Sequence, residues 1–175
     1  SLLPGLENAE FARFGVMHRN TFVDAPRLLD DSGRMVGGCA SELPVPLWVA
    51  GQLAGTEGYC EAIRSGLHCA LSVAAWAMGN DAVPLPPETA FGALMAYATC
   101  PDTENYQPMH VNFGMMPPLP KLVRQKRERY RAFARRGRGA LEAYGRQLQT
   151  ARLMDASQLE QGAKAARAFF PDEED

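Results

Sequence analysis

The sequence has 175 residues, of which 46% are hydrophobic, so the chain can build a core and global disorder is excluded. The formal net charge of −2 argues, as an average, against a polyanionic partner. The charges are unevenly divided, however. Residues 1–120 carry 5 basic and 12 acidic side chains, residues 121–152 carry 11 and 2, and residues 153–175 carry 2 and 6. This asymmetry predicts a basic arm that binds a polyanion such as a nucleic acid.

Other features of the sequence narrow the class of protein. No apolar run approaches the roughly 18 residues of a membrane span, and no signal-peptide pattern is present. Four scattered cysteines without C-x-x-C spacing favour reduced thiols in a cytoplasmic protein. Three histidines far apart in the sequence predict no metal site. Because the chain opens on Ser1 and Leu-Leu-Pro-Gly, we expect the C-terminal part of a longer protein.

A strand, a turn and a helix are predicted in the first half of the sequence. Residues 14–23 form a dense apolar patch that predicts a short strand or two. The apolar run 47–50 predicts a buried strand, and the glycine-rich turn 51–58 follows it directly. A helix is expected from the end of this turn to Met78, where Gly79-Asn80 ends it.

Two rows of side chains along this helix are expected to be buried. The apolar row contains Tyr59, Ile63, Leu67, Leu71 and Trp76. A second row, in which every fourth residue is small, contains Gly58, Ala62, Gly66, Ala70 and Ala74. Such a row lets a helix approach a sheet closely, as the last glycine does in nucleotide-binding strand–turn–helix units.

The turn itself has the features of an anion or cofactor site. Glycines allow close approach of a ligand, and a helix start offers unpaired N–H groups at a positive dipole end. This suits a phosphate or the electron-rich pyrimidine edge of a reduced flavin. A plain strand-to-helix turn is the alternative, because the spacing is not G-x-G-x-x-G. In that case Gln52 and Glu57 are solvated polar residues rather than ligand contacts.

The middle of the sequence predicts a helix and a loop. The helix is expected over residues 87–99, and Cys100-Pro101 ends it. Its buried side would contain Phe91, Leu94, Met95 and Ala98. Residues 102–120 are expected to form a structured loop.

The last part of the sequence predicts further helices. Pro120 is placed to begin a long helix, which Gly137 and Gly139 bend or interrupt before it reaches Leu153. The pattern Ser157-x-x-Glu160 predicts the cap of a last short helix. Residues 171–175 are expected to be a disordered tail.

The long helix carries most of the basic arm. We expect six cations to contact a polyanion, namely Lys121, Arg124, Lys126, Arg127, Arg131 and Arg135. Only Glu128 is available within the run to neutralise them, and Tyr130 and Phe133 are interleaved. Phosphate contacts by such a helix are independent of base sequence and sensitive to salt. The alternative is an intramolecular or subunit contact with the acidic remainder.

Three other polar positions are candidates for binding. The segment His18-Arg19-Asn20 can anchor an anion, since arginine offers a fixed fork of donors and histidine a tunable proton. A structural role in a strand is the alternative. His68 is expected to be packed, whereas a ligand-facing and a structural role are equally open for His110. No G-x-S-x-G or Walker motif occurs, and the sequence identifies no catalytic nucleophile.

Four blocks of the sequence carry a family resemblance. They read P-G-L-E-N-A-E-F-x-R-F-G-V-M-H-R-N-T-F, A-G-Q-L-A-G-T-E-G-Y-C-E-A, P-P-E-T-A-F-G-A-L and Y-Q-P-M-H-V-N-F-G-M-M-P-P-L, and a basic helix follows. In this order they resemble the folate- and FAD-dependent tRNA (uracil-5-)-methyltransferases (TrmFO), a branch of the GidA-like flavoproteins. The resemblance covers roughly residues 1–135.

The resemblance implies an α/β fold: the C-terminal part of a Rossmann-like FAD-binding domain, followed by a mostly helical, basic C-terminal region. It implies formation of 5-methyluridine at position 54 of the tRNA T-loop, with 5,10-methylenetetrahydrofolate as one-carbon donor, FAD, and NAD(P)H as reductant. The flavin would be lined by Gly51, Gln52, Thr56, Glu57, Gly58 and Tyr59. His18, Arg19 and Asn20 would lie near the flavin and folate pocket, and helix 121–138 would meet the tRNA backbone.

The resemblance also implies an organisation of the chain. The segments are 1–35 (the end of an inserted substrate domain), 36–82 (the strand–turn–helix of the FAD domain), 83–120 (helix and loop), 121–170 (basic helices) and 171–175 (tail). The family's G-x-G-x-x-G and its thiol positions are absent, so this chain alone is expected to be inactive. The alternatives are a GidA-type flavoprotein that modifies the tRNA wobble uridine and a non-catalytic RNA-binding module.

Overall fold

The computed structural model describes residues 21–158 without a break, together with Pro4, Gly5, Asn8, Glu10, Glu160, Gln161 and Lys164. Its named α-helices are α1 (Ala25–Leu28), α2 (Tyr59–Ala77), α3 (Ala90–Ala98) and α4 (Lys126–Thr150). Two 3-10 helices, Ala40–Glu42 and Gly51–Ala54, lie between α1 and α2. Most of the predicted strand region 14–23, the triplet His18-Arg19-Asn20 and the tail 171–175 lie outside the described residues.

The apolar run 47–50 does not form the predicted strand of a sheet. It pairs with residues 33–35 through two backbone hydrogen bonds of 2.8 and 2.9 Å, and an antiparallel bridge joins Arg34 to Trp48. Within the described residues β-pairing is limited to isolated bridges, and no sheet of the predicted α/β fold is formed there.

Helix α2 begins and ends close to the predicted positions. Gly58 precedes it with a φ of +102°, which residues with a side chain rarely adopt. At the other end the N–H of Gly79 donates to Trp76 O and that of Asn80 to Ala75 O, both at 2.9 Å. Gly79 has a φ of +74°, so a left-handed glycine ends the helix as predicted.

The face of α2 that contacts the rest of the chain is not the predicted one. Its buried residues are Ser65, His68, Cys69, Ser72 and Ala75. Of the predicted apolar row, Tyr59 is 93% exposed, Ile63 76% and Leu67 41%. The small residues Gly66 and Ala70 are exposed as well. Both predicted rows therefore lie mainly on the outside of the described part, while His68 is packed as predicted.

Hydrogen bonds set this orientation of α2. The hydroxyl of Ser65 accepts from the N–H of Gly51 at 3.0 Å, and Nε2 of His68 lies 2.9 Å from the carbonyl oxygen of Asp31. The thiol of Cys69 is 3.3 Å from Val49 O. Polar side chains, rather than the apolar ones, thus attach the helix to segments 30–33 and 49–51.

Helix α3 lies at the centre of the core and was predicted with nearly its observed bounds. It begins after Thr89, whose hydroxyl accepts a hydrogen bond from the N–H of Gly92 at 3.0 Å. All four residues predicted on its inner side, Phe91, Leu94, Met95 and Ala98, are buried. The residues of α3 contribute to each of three hydrophobic clusters, which link it to α1, to the loop before α4 and to α4 itself.

Helix α4 differs from the prediction in its start and its continuity. It begins at Lys126, six residues after Pro120, and continues unbroken to Thr150. Gly137 does not interrupt it. A Cβ there would lie 3.3 Å from Glu88 O, so the glycine lets α4 pass close to the segment just before α3. Gly139 has open space around it and remains helical.

The capping pair after α4 lies two residues earlier than predicted. The N–H of Asp155 donates to Gln158 Oε1 at 3.0 Å, and the N–H of Gln158 donates back to Asp155 Oδ1 at 2.8 Å. The hydroxyl of Ser157 also donates to Asp155 Oδ1. These bonds, first that from Gln158, lower the pKa of Asp155. The cap is therefore Asp155-x-x-Gln158 and not Ser157-x-x-Glu160.

Candidate functional site

Buried side chains stabilise the turn before α2. Thr56 is fully buried, and its hydroxyl donates to Gly51 O at 2.8 Å. Gly55 has a φ of +82°, and a Cβ added there would clash with the hydroxyl of Tyr106. Burial raises the pKa of Tyr106 to about 12, so this phenol stays protonated at neutral pH. Thr56 therefore supports the turn and does not present its side chain to a ligand.

The segment 109–111, which follows α3 in the sequence, is hydrogen-bonded to this turn. The N–H of Met109 donates to Gly55 O at 3.3 Å, and the N–H of Glu57 donates to Met109 O at 3.2 Å. Two residues further on, the N–H of Val111 donates to Glu61 Oε1 at 3.2 Å. The second and fourth blocks of the sequence, about 50 residues apart, thus meet at the start of α2.

The side chain of His110 lies at this meeting point. Its Nε2 is 3.7 Å from Glu57 Oε2, and the two side chains are 63% and 31% exposed. A Cβ added at Gly58 would come within 3.0 Å of His110 Nδ1 and would clash with the carboxylate of Glu61. Gly58 therefore accepts no side chain, because the carboxylate of Glu61 and the ring of His110 already lie where a Cβ would be.

The charges at this helix start act in opposite directions. Gly58 has no side chain to cap α2, so the positive end of the helix dipole lacks a side-chain cap. Gln52 and Tyr59 are exposed on either side of the turn. The carboxylates of Glu57 and Glu61 interact with His110 and with the N–H of Val111. The dipole favours an electron-rich group at this position, whereas the two carboxylates oppose one.

The predicted cofactor residues therefore have different positions in the structure. Gly51 and Thr56 lie inside the turn, whereas Gln52, Glu57, Gly58 and Tyr59 lie at its rim. The triplet 18–20 is outside the described residues, so its distance from the turn is not given by the structure. Sequence reasoning missed Glu61 and Ser65, and the position of Glu61 in the first turn of the predicted helix was the only signal for it.

All six cations predicted to bind a polyanion are exposed. Arg127, Arg131 and Arg135 follow one another at intervals of four residues and share one face of α4. The carboxylate of Glu128 is 3.3 Å from Arg131, so one member of the row has an acidic neighbour. We call these three arginines, with Lys121, Arg124 and Lys126, the basic stripe.

Two other arginines of α4 are structural. The guanidinium of Arg136 donates to the carbonyl oxygens of Pro117 and Pro118 at 2.7 and 2.9 Å. Arg129 donates to Val123 O at 3.4 Å. The phenyl ring of Phe113 stacks on Tyr130 with centroids 4.2 Å apart, which fixes the loop before α4 against the helix. The basic arm is thus divided between a stripe facing solvent and cations that hold the loop.

None of the helices in the described residues is both long and apolar enough to span a membrane. Among the same residues, no group of three or more His, Cys, Asp or Glu side chains is placed to hold a metal ion.

A comparison with protein-family models indicates the class of protein that the first part of the chain resembles. A family model described as glucose inhibited division protein A matches residues 1–81, which end just after α2. The first part of the chain therefore resembles GidA-type proteins.

Relatives then identify the family. A protein of Desulforudis audaxviator is 46% identical over 145 residues, which are 82% of this chain and 32% of the relative. Relatives from Symbiobacterium thermophilum (46% over 145 residues) and Heliobacterium modesticaldum (43% over 143) cover 82% of this chain and 31% of their own length. Each is named methylenetetrahydrofolate–tRNA-(uracil-5-)-methyltransferase TrmFO. The predicted resemblance is confirmed: the chain is similar to TrmFO proteins over most of its length, and it spans about a third of the length of the curated relatives it matches.

Proposed function

We propose that this chain is part of a methylenetetrahydrofolate- and FAD-dependent tRNA (uracil-5-)-methyltransferase that forms 5-methyluridine at position 54 of the T-loop. The observation that carries the proposal is the meeting of two family-like blocks, 50–62 and 106–119, at the start of α2. Because the chain spans about a third of its relatives, the activity belongs to a full-length cytoplasmic protein.

In this proposal the start of α2 faces the pyrimidine edge of FAD in a Rossmann-like domain. Bound FAD supplies reduction and one-carbon transfer, with 5,10-methylenetetrahydrofolate as donor and NAD(P)H as electron source. Gly58 allows the ring to approach, and the N–H groups of the first helical turn donate to it. Gln52, Glu57 and Tyr59 would border the ring, Gly51 and Thr56 would keep the turn in shape, and His18-Arg19-Asn20 would bind on the folate side.

The charges of the turn matter for a ring that gains electrons. The positive end of α2 stabilises negative charge on the ring, whereas the carboxylate of Glu57 opposes it. His110 lies beside that carboxylate and, when protonated, offsets its charge.

The basic stripe is the proposed tRNA contact. Six exposed cations in a chain region that carries only two acidic residues favour phosphate binding without base readout. Arg127, Arg131 and Arg135 are spaced over two helical turns, about 12 Å, which lets them follow successive phosphates.

Flavin binding tests the turn. The 145-residue matching segment of the Desulforudis relative is replaced by that of this chain, and bound flavin is measured by visible absorbance after purification. We expect Gly58→Glu to abolish flavin binding, while the matched change Gly139→Ala, at a glycine with open space around it, leaves it intact. Unchanged flavin in Gly58→Glu would remove the turn as a cofactor site.

Mapping the methylated nucleotide of tRNA tests the reaction. Incubation of the chimera with the folate donor and NAD(P)H should modify the uridine at position 54. Modification at the wobble uridine instead would support the GidA-type alternative.

A non-catalytic RNA-binding role is the second candidate, and the basic stripe favours it. Filter binding of tRNA to the 175-residue chain across a salt series measures this directly. We expect affinity to fall steeply with salt, by roughly a factor of 10³ between 50 and 200 mM, for six phosphate contacts. Two results together would favour the second candidate over the first. They are tRNA binding by the 175-residue chain and a chimera that contains no flavin and is inactive.

A further inference from the structure

Phe113 is an exposed aromatic residue in the loop before α4. Among the described residues three aromatic side chains are exposed, namely Tyr59, Trp76 and Phe113, and Phe113 is the one that stacks on a ring of α4. It is 40% exposed, and its ring lies nearly parallel to that of Tyr130, with an interplanar angle of 10°. The two stacked rings therefore present aromatic surface to solvent beside the helix.

Hydrogen bonds and packing fix the backbone around Phe113. The N–H of Gly114 donates to Asn112 Oδ1 at 3.0 Å, and the N–H of Met115 donates to Asn112 O at 3.2 Å. The ring of Phe113 also contacts that of Phe133, with centroids 5.6 Å apart. A ring that is already held in place loses little conformational entropy when another aromatic group stacks on it.

Cations lie next to the aromatic pair. The Nζ atom of Lys126 is 5.6 Å from the centre of the Tyr130 ring, and the guanidinium carbon of Arg129 is 5.9 Å from it. Arg127 precedes Tyr130 by three residues, so this member of the basic stripe is a neighbour of the ring on the surface of α4. Aromatic surface and exposed cations thus occur side by side at the start of α4.

We propose that Phe113 and Tyr130 form a platform on which an unpaired base of the bound tRNA stacks, while the basic stripe holds the flanking phosphates. This inference rests on the proposed tRNA contact and assigns a base-binding site within it. Proteins bind single-stranded nucleic acid by combining aromatic rings with a cationic surface, because every base has a π-face and every nucleotide carries a phosphate.

The chemistry of the surface selects this occupant. An apolar peptide would use the two rings alone, whereas a nucleotide also neutralises the cations beside them. A double-stranded segment of RNA would offer its phosphates but not its bases, since those are already stacked and paired. The base that stacks on Phe113 therefore belongs to a loop of the tRNA and not to a stem.

Filter binding to RNA with and without loop bases tests the platform. The 175-residue chain is titrated with a tRNA-derived stem–loop and with the same stem–loop whose loop nucleotides are abasic, so that both carry the same phosphates. We expect the abasic RNA to bind on the order of tenfold more weakly to the wild-type chain. Phe113→Leu should lower the affinity for the intact stem–loop by a similar factor and should bind the two RNAs equally. The slope of log affinity against log salt should not change, because neither residue is charged.

The ratio of the two affinities separates stacking from a purely structural role. If Phe113 only held the loop against α4, Phe113→Leu would weaken the binding of both RNAs by the same factor and leave the ratio at its wild-type value. Phe113→Tyr keeps an aromatic ring and should retain the wild-type ratio. Trp76→Leu is the matched control, because it removes an exposed aromatic ring from α2, and it should also leave the ratio unchanged.

Three results would overturn the proposal. They are equal affinity of the wild-type chain for the intact and the abasic stem–loop, a ratio of affinities that Phe113→Leu leaves unchanged, and the absence of RNA binding. The first two would remove the platform and leave the salt-dependent tRNA contact in place, whereas the third would remove both. None of these measurements needs flavin or the methylation reaction, so the proposed enzyme function is tested separately.

Discussion

His110 Nε2 lies 3.7 Å from Glu57 Oε2, beside the backbone bridge that joins Met109 to Thr56. Both side chains are partly in water, so this pair is screened and contributes at most about 1 kcal/mol. Glu61 lies next to them, and its carboxylate accepts a hydrogen bond from the backbone N–H of Val111. Glu57 and Glu61, four residues apart, thus both contact the loop that contains His110 and Val111, by interactions of different strength.

Removal of these contacts should have unequal effects. We expect Glu61→Ala to lower the free energy of unfolding by about 1–2 kcal/mol, because a charge-assisted bond to a backbone N–H is lost. His110→Ala should cost less than about 0.5 kcal/mol, and high salt should reduce that further. Urea denaturation at low and high salt measures both. A larger cost for His110→Ala than for Glu61→Ala would contradict the assignment.

The glycine at the start of α2 should tolerate no side chain. At Gly58 a φ of +102° and the neighbouring Glu61 and His110 both oppose a Cβ, so Gly58→Ala should destabilise the chain by about 1–3 kcal/mol. Gly139→Ala is the matched control, since that glycine is helical with nothing within 4 Å, and it should stabilise the chain by about 1 kcal/mol. Thermal and urea denaturation give both values, and equal effects of the two changes would be evidence against the described turn.

Neighbouring arginines of α4 should separate RNA binding from stability. Arg135→Gln removes an exposed cation of the basic stripe, so it should reduce the slope of log affinity for tRNA against log salt by about 1 and leave stability unchanged. Arg136→Gln removes two bonds to backbone carbonyls and should cost about 1–3 kcal/mol of unfolding free energy. Filter binding and urea denaturation of both variants test the pair. The reverse assignment of effects would show that the stripe runs through Arg136.

The helix ends were predictable because their signals are local. Gly58 and Gly79 mark the two ends of α2, and both have a positive φ that few other residues adopt. Thr89 caps α3 with its own hydroxyl. The interruption of α4 at Gly137 and Gly139 was wrongly predicted, because a long helix tolerates an isolated glycine at a cost of only about 1 kcal/mol.

The buried face of α2 and the loop at its start were not predictable in the same way. Periodicity identifies an apolar side of a helix but not the surface that covers it, and here Ser65 and His68 face the described core while Ile63 faces solvent. The contact between Met109 and Gly55 depends on how α3 returns the chain, which no local pattern encodes. The role of His110 at the turn therefore required the structure.

The buried imidazole of His68 should make stability depend on pH. Its Nε2 lies 2.9 Å from Asp31 O, whereas Nδ1 has no hydrogen-bond partner in the described part of the chain. Burial lowers the pKa of His68 below its usual value near 6.5; the bond to Asp31 opposes this, and the charge of Arg64 adds to it.

A lowered pKa in the folded state means that the unfolded chain binds the proton more tightly. The stability due to neutral His68 is complete above pH 6.5 and is lost as the pH falls through its folded-state pKa. Urea denaturation at pH 7, 6 and 5 should therefore show a loss of stability that His68→Gln reduces. Parallel pH profiles for wild type and His68→Gln would mean that the imidazole is not held neutral by burial.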